Sequence, residues 1–153
     1  RNQMYLSINW KVMTIQIAET RHLKEVQQDF NNYFPFLKIE FFRKQHGVEK
    51  PSPAQRMFAH TLKIGDVRIT KEEGELEVEP AMTVAELEQN LWKRFGLAVQ
   101  VFRKSGNLWL ETTMTDKWTL RQQNDHGREI SSPNNTNPKP AAAEDFELQR
   151  GED

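Results

Sequence analysis

Cysteine is missing from this chain of 153 residues. Its absence excludes a disulfide framework, a thiol nucleophile and any Cys-ligated zinc or iron–sulfur site, and it fits a reducing compartment, so a cytoplasmic location is expected. Long apolar runs are missing too. No window approaches the roughly 18 consecutive apolar residues of a membrane span, and none has the build of a signal peptide, so no membrane partner is expected. The chain opens on Arg1 rather than Met, which leaves room for a segment upstream.

Motifs that carry chemistry are equally scarce. The seven glycines are scattered, so there is no P-loop, no dinucleotide fingerprint and no Gly-x-Ser-x-Gly elbow. His22, His46, His60 and His126 show no His-x-x-x-His spacing, and each reads as a surface residue. The best catalytic pairing that can be assembled is His60 with Asp66, and nothing in its spacing demands it. These absences point away from an enzyme, a cofactor and a metal, and no catalytic residue is assigned.

A strong excess of one charge is also lacking. The net charge is -1, and two basic residues against five acidic ones in 131–153 leave nineteen basic and seventeen acidic residues in the first 130. A protein that neutralises many phosphates usually carries more positive charge, so nucleic acid is the less favoured partner class.

A chain of this length can bury roughly 70% of its unfolded surface in one core. The hydrophobic share of 37%, the charged share of 28% and a mean hydropathy of -0.79 are low enough that part of the chain should stay unpacked. Residues 131–153, rich in Pro, Asn, Ala and acids, are expected to form a disordered acidic tail. Residues 1–12 are an extension of undecided status, in which Met4, Leu6, Ile8, Trp10 and Val12 alternate like a strand. The domain proper is 13–130.

Within it, Thr14–Ala18 reads as a strand and Thr20 as a helix N-cap. Leu23, Val26, Phe30 and Phe34 follow at helical spacing, Pro35 stops the helix, and Leu37, Ile39 and Phe41 alternate in a second strand. The same order returns with alternating Leu76 and Val78, a capping box at Thr83 and Glu86, a stripe of Val84, Leu87, Leu91 and Phe95, a stop at Gly96, and a strand through Val99 and Val101. Six apolar positions of the two segments lie 61 apart, and FFRK at Phe41–Lys44 meets VFRK at Val101–Lys104 with a spacing of 60. The reading is an internal duplication with units of about 13–44 and 74–104. Between them, His46–Pro53 reads as a loop and Thr61–Ile69 as a short strand broken at Gly65 and Asp66. Ser105–Asn107 should turn a hairpin into Leu108–Thr112, and a last short helix, capped by Thr115 or Asp116, should close near Gly127.

The expected fold is therefore α+β, a two-layer α/β sandwich of ferredoxin-like duplicated β-α-β units with an extra C-terminal strand and short helix. Both helices would cover one common sheet, over a core of Ile15, Ile17, Val26, Phe30, Ile39, Leu76, Val78, Leu87, Leu91, Phe95, Val99 and Val101. The alternation then places Lys38, Glu40, Phe42, Glu75, Glu77, Gln100, Phe102, Trp109 and Glu111 on the helix-free face. The run KEEGELEVE at Lys71–Glu79 reads as a solvated strand face rather than a cation site. Phe42, Arg43, Phe102, Arg103 and Trp109 are the candidate binding residues. The leading expectation is a non-catalytic domain that binds a protein partner or its own copy through this face or an edge strand. The alternatives are a single-stranded RNA or DNA binder, stacking bases on those aromatics, and a small enzyme without a recognisable motif.

Overall fold

The computed structural model describes residues 13–43 and 56–132. The expectations for residues 1–12, for the loop His46–Pro53 and for the tail beyond Ser132 lie outside the described residues. The described residues form five strands, β1 (Met13–Ile17), β2 (Leu37–Phe42), β3 (Gly74–Val78), β4 (Ala98–Ser105) and β5 (Leu108–Glu111). The described helices are α1 (Leu23–Tyr33), α2 (Ile64–Val67), α3 (Val84–Phe95) and α4 (Leu120–Ser131). The architecture is mixed α+β with two antiparallel sheets, a β1–β3 ribbon and a three-stranded sheet in the order β2–β4–β5.

One common sheet was expected, and the strands divide between two. Side chains bond the outer edges of the ribbon. Tyr33, at the end of α1, accepts from Thr14 N–H at 3.2 Å and donates to Thr14 C=O at 2.8 Å, and Arg94, at the end of α3, donates to Glu75 C=O at 3.0 Å. Those bonds take up outward backbone groups of Thr14 and the carbonyl of Glu75. Tyr33 and Arg94 lie 61 residues apart, as do Thr14 and Glu75. The strand registers follow the same spacings. Ile15 sits opposite Leu76, and Glu40 sits opposite Gln100, its counterpart at a spacing of 60.

Of the twelve expected core residues, eleven are buried, and Val99 is partly buried against the same cluster. Leu23, Phe34, Leu37, Phe41, Ile64, Val84, Leu97 and Leu120 complete the core. Glu75 and Glu77 point to solvent on the ribbon's other face, as the alternation in KEEGELEVE requires.

The helix starts are joined in pairs. Leu23 N–H donates to Leu62 C=O and Ile64 N–H to Arg21 C=O, both at 2.8 Å, so the first turns of α1 and α2 meet head to head. In the second half Val84 donates to Trp118 C=O at 3.1 Å and Leu120 to Met82 C=O at 2.8 Å, joining α3 to α4 in the same way. The local sequences HLKE, KIGD, TVAE and TLRQ share one plan: a cap residue, an aliphatic residue, and three places after the cap an acid or amide. That third residue accepts from the cap N–H in each case, at 2.9 Å from Glu25, 3.0 Å from Asp66, 2.9 Å from Glu86 and 2.8 Å from Gln122. The aliphatic residues Leu23, Ile64, Val84 and Leu120 are all 0% exposed. Each start thus satisfies its orphan donors while driving one side chain into the core.

Three local expectations change. The first helix is capped at His22 rather than Thr20. Thr61–Ile69 holds the single turn of α2 instead of a broken strand, and Gly65 is accommodated because a Cβ there would lie 3.1 Å from Glu19 C=O. The last helix is capped by Thr119, not Thr115 or Asp116, and runs through Gly127 to Ser131. Gly127 marks a close crossing, where a Cβ would meet Phe36 Cβ at 3.0 Å and Arg103 Cγ at 3.1 Å. The hairpin turns at Gly106, with φ 65°, as expected.

If the paired starts hold the fold, Leu120→Ala should lower unfolding free energy by roughly 2–5 kcal/mol, while Thr119→Ala costs only about 1 kcal/mol. Chemical denaturation of the two variants checks this ranking.

Candidate functional site

The expected binding residues lie on and around the β2–β4–β5 sheet, at different depths. Phe42 and Phe102 are buried at 6% and 9% exposure, and Arg103 is buried at 1%. Arg103 runs inward beneath α4, where it donates to Gln123 Oε1 at 2.8 Å and lies 5.8 Å from the Trp118 ring. Arg43 is exposed and stacks over Phe58 at 5.2 Å. Trp109 is half-buried, with the Lys38 ammonium 5.0 Å and the Lys104 ammonium 5.9 Å from its ring. Lys38 also lies 5.5 Å from the Phe102 ring. The side chains of the helix-free face therefore fold down on one another, leaving Trp109, Lys38 and Lys104 at the surface.

Lys38 links this patch to a polar cluster that pattern reading missed. Its ammonium is 3.2 Å from Glu40 Oε2, and Glu40 is 3% exposed. The other carboxylate oxygen, Oε1, accepts from Gln27 Nε2 at 3.1 Å and meets His60 Nε2 at 2.9 Å. His60 is thus set by Glu40, not by Asp66, whose carboxylate is spent on the Lys63 N–H at the start of α2. The available signal was an acid in the otherwise apolar run Ile39–Phe42. Chemically, a buried carboxylate orienting a half-exposed imidazole could position a proton. Of the other histidines, His22 caps α1 with Nδ1 3.0 Å from Thr61 C=O, and His126 packs edge-on against Trp118 at 5.5 Å within α4.

The second half carries a matching cluster with its charges exchanged. Glu88 stands where α1 has Gln27, Gln100 faces Glu40, and Asp116 holds the place of His60, since both Asp116 and His60 give a carbonyl to the second N–H of the neighbouring helix. Gln27 Nε2 donates to Ile39 C=O at 2.6 Å, and Glu88 Oε2 accepts from Val101 N–H at 3.1 Å. Burial, followed by repulsion from Asp116 and Glu111, outweighs that hydrogen bond and pushes the Glu88 carboxyl up from 4.5 to about 7.

Among the described residues the sheet ends at β5. Lys104 donates its N–H to Phe36 C=O at 2.9 Å, away from β5. Lys104 and Trp109 are opposite one another, so theirs is a non-hydrogen-bonded pair and the Trp109 backbone groups point outward from the sheet. The outer edge of β2, by contrast, is occupied by Gln27 on Ile39 C=O, by Asn31 on Leu37 C=O and by Phe58 N–H on Phe41 C=O.

An open groove of about 570 Å³ lies elsewhere, lined by Glu75, Glu77, Glu79, Glu86, Asn90 and Arg94 among others. Its carboxylates are spread along β3 and the start of α3, and among the described residues no group of His, Asp or Glu is gathered closely enough to hold a metal ion. Among the same residues no helix is long and apolar enough to cross a membrane. The chain matches no family model, no curated protein and no solved structure.

Phe102→Glu should destabilise the fold by roughly 3 kcal/mol or more, because it places a charge at a buried position; thermal unfolding measures it. For Glu88 the folded carboxyl binds its proton more tightly than the unfolded one, so stability should fall as pH rises from about 4.5 to about 7 and level off above that. Glu88→Gln should flatten this slope and raise stability at pH 8 by on the order of 2 kcal/mol, read from denaturant titrations across pH.

Proposed function

We propose that this chain is a non-catalytic binding or assembly domain that engages a protein partner, or a second copy of itself, along β5 and the adjoining Trp109 surface. The observation that carries the reading is the contrast between strand edges. Side chains take the outward groups of Thr14 and the carbonyl of Glu75 on the ribbon, and the outward carbonyls of Leu37, Ile39 and Phe41 on β2 are all bonded, whereas Trp109 directs its backbone donor and acceptor outward at the edge of β5. An extended segment added there would gain main-chain hydrogen bonds, with Trp109 and the exposed Leu108 offering it an apolar surface.

The expected duplication belongs to the same proposal. The paired helix starts, the edge-bonding residues 61 apart and the exchanged polar clusters support two copies of one unit, now extending from the first strand of each half to the second helix of each pair. Of the ferredoxin-like expectation, this reading keeps the duplicated β-α-β element and sets aside the single sheet.

The alternatives have less behind them. A single-stranded nucleic acid needs flat rings open to its bases, and Phe42 and Phe102 are covered, which leaves Arg43, Lys104 and Trp109. An enzyme would draw on His60 and Glu40, and would need a substrate cavity beside them. Protein binding in the cytoplasm fits the lack of cysteine, and no cofactor is invoked.

The test is strand addition itself. Trp109→Pro removes an outward N–H while leaving the β4 ladder intact. The variant should weaken self-association or capture of displayed extended peptides at least tenfold while remaining folded by circular dichroism. Binding that survives in a folded Trp109→Pro chain overturns the edge-strand reading.

A further inference from the structure

The place where the chain leaves α4 bears on the edge of β5. α4 begins after the connection that follows β5 and runs back to the β4–β5 turn, where Ser131 Oγ accepts from Gly106 N–H at 2.9 Å. Residues 133–153 therefore set out from the end of the sheet at which β5 begins. A segment that leaves α4 there and follows β5 directly runs parallel to it, and α4 is the crossover that parallel pairing requires. Twelve residues, 133–144, precede the run DFELQ at 145–149. They span up to roughly 40 Å, against about 13 Å for the four residues of β5, so every register is within reach. The two sides of β5 differ in character. Leu108, 43% exposed, and buried Leu110 lie on the α4 side, while Trp109 and Glu111 share the other face with Lys104. The run alternates to match, with Phe146 and Leu148 apolar and Asp145, Glu147 and Gln149 polar.

We propose that residues 145–149 of the same chain occupy the β5 edge, paired parallel to it with Glu147 beside Trp109, and screen that edge from other partners. The inference rests on the reading of β5 as a docking edge and supplies its occupant. In this register the Trp109 N–H donates to the Phe146 carbonyl, and the Trp109 carbonyl accepts from Leu148 N–H. Phe146 falls next to Leu108 and covers its exposed surface. Glu147 falls on the face where the Lys104 ammonium lies 5.9 Å from the Trp109 ring, so unlike charges meet. The neutral Gln149 falls next to Glu111. The opposite direction sets Asp145 against Glu111, so the charges select the parallel arrangement that the exit from α4 also favours. Each contact is modest, but a segment held on a short tether acts at an effective concentration in the millimolar range.

Amide hydrogen exchange of the full chain reads the edge directly. The Trp109 N–H should exchange at least about tenfold more slowly than an unpaired amide, at a rate independent of protein concentration. Phe146→Ser combined with Leu148→Ser should abolish that protection and leave the Leu110 amide, which bonds within the β4–β5 ladder, unchanged. A synthetic peptide of residues 143–150 added to the double variant should restore it. The double variant should also capture displayed extended peptides at least about tenfold more tightly, because the competing segment is gone. Trp109 exchange at the unpaired rate in the unsubstituted chain overturns the proposal whatever the variant does, and so does protection that persists in the double variant. Protection that rises with protein concentration assigns the edge to a second copy and overturns it as well. If capture is the same with and without the double substitution but still falls in Trp109→Pro, the tail is the wrong occupant and the docking edge stands. If Trp109→Pro leaves capture untouched, the edge reading falls and this inference falls with it.

Discussion

The structure depends on the pairing of helix first turns. A helix start presents several N–H groups without partners inside the helix, and burying them unsatisfied would outweigh what the adjacent aliphatic side chain contributes by leaving water. Here two starts face each other and exchange backbone bonds like a fragment of antiparallel ladder, while each cap residue is bonded by the acid or amide three places on. Because those polar demands are met locally, Leu23, Ile64, Val84 and Leu120 can be withdrawn completely from water. They belong to the single buried cluster that forms the core.

From that arrangement follows the division into two sheets. Helices anchored at their starts deliver their far ends, Tyr33 and Arg94, to the outer sides of the β1–β3 ribbon, where they bond Thr14 and the Glu75 carbonyl. Among the described residues the ribbon is two strands wide. The other strands form their own sheet, bounded on the β2 side by amide side chains and on the other by β5.

Much of this was legible in the chain. Period-two and helical spacings located the four principal strands, helices α1 and α3 and nearly all of the core, because each element buries one face and the pattern records which. The Thr83–Glu86 box and Gly96 bounded α3 correctly. What pattern could not show was pairing. The alternation in Thr14–Ile17 says which side faces inward, but not that a tyrosine hydroxyl nineteen residues on will bond the edge. α2 was missed because a lysine cap and an internal glycine resemble a loop, although Lys63–Asp66 follows the same plan as the other starts. Among the site residues, Trp109 lies half-buried at the surface, whereas Phe42, Phe102 and Arg103 are buried. Alternation assigns a face and not the neighbours that cover it. Glu40, His60 and Glu88 acquire their roles from contacts distant in sequence, which leave no local trace.

The seat of α4 differs from every other in the molecule. Its inner stripe consists of Leu120, Gln123, Asn124 and Gly127, so one aliphatic side chain is joined by two amides and a bare backbone. Gln123 reaches Thr115 and Arg103, and Asn124 accepts from the Phe36 N–H. Attachment of this kind draws little from the hydrophobic effect and much from directional bonds, so it should depend only weakly on heat capacity and keep its strength on cooling. It is also unforgiving in shape, because the bonds tolerate neither sliding nor rotation of the helix. α4 is accordingly keyed to one position on β4, where a greasier helix could have shifted by a turn and settled again.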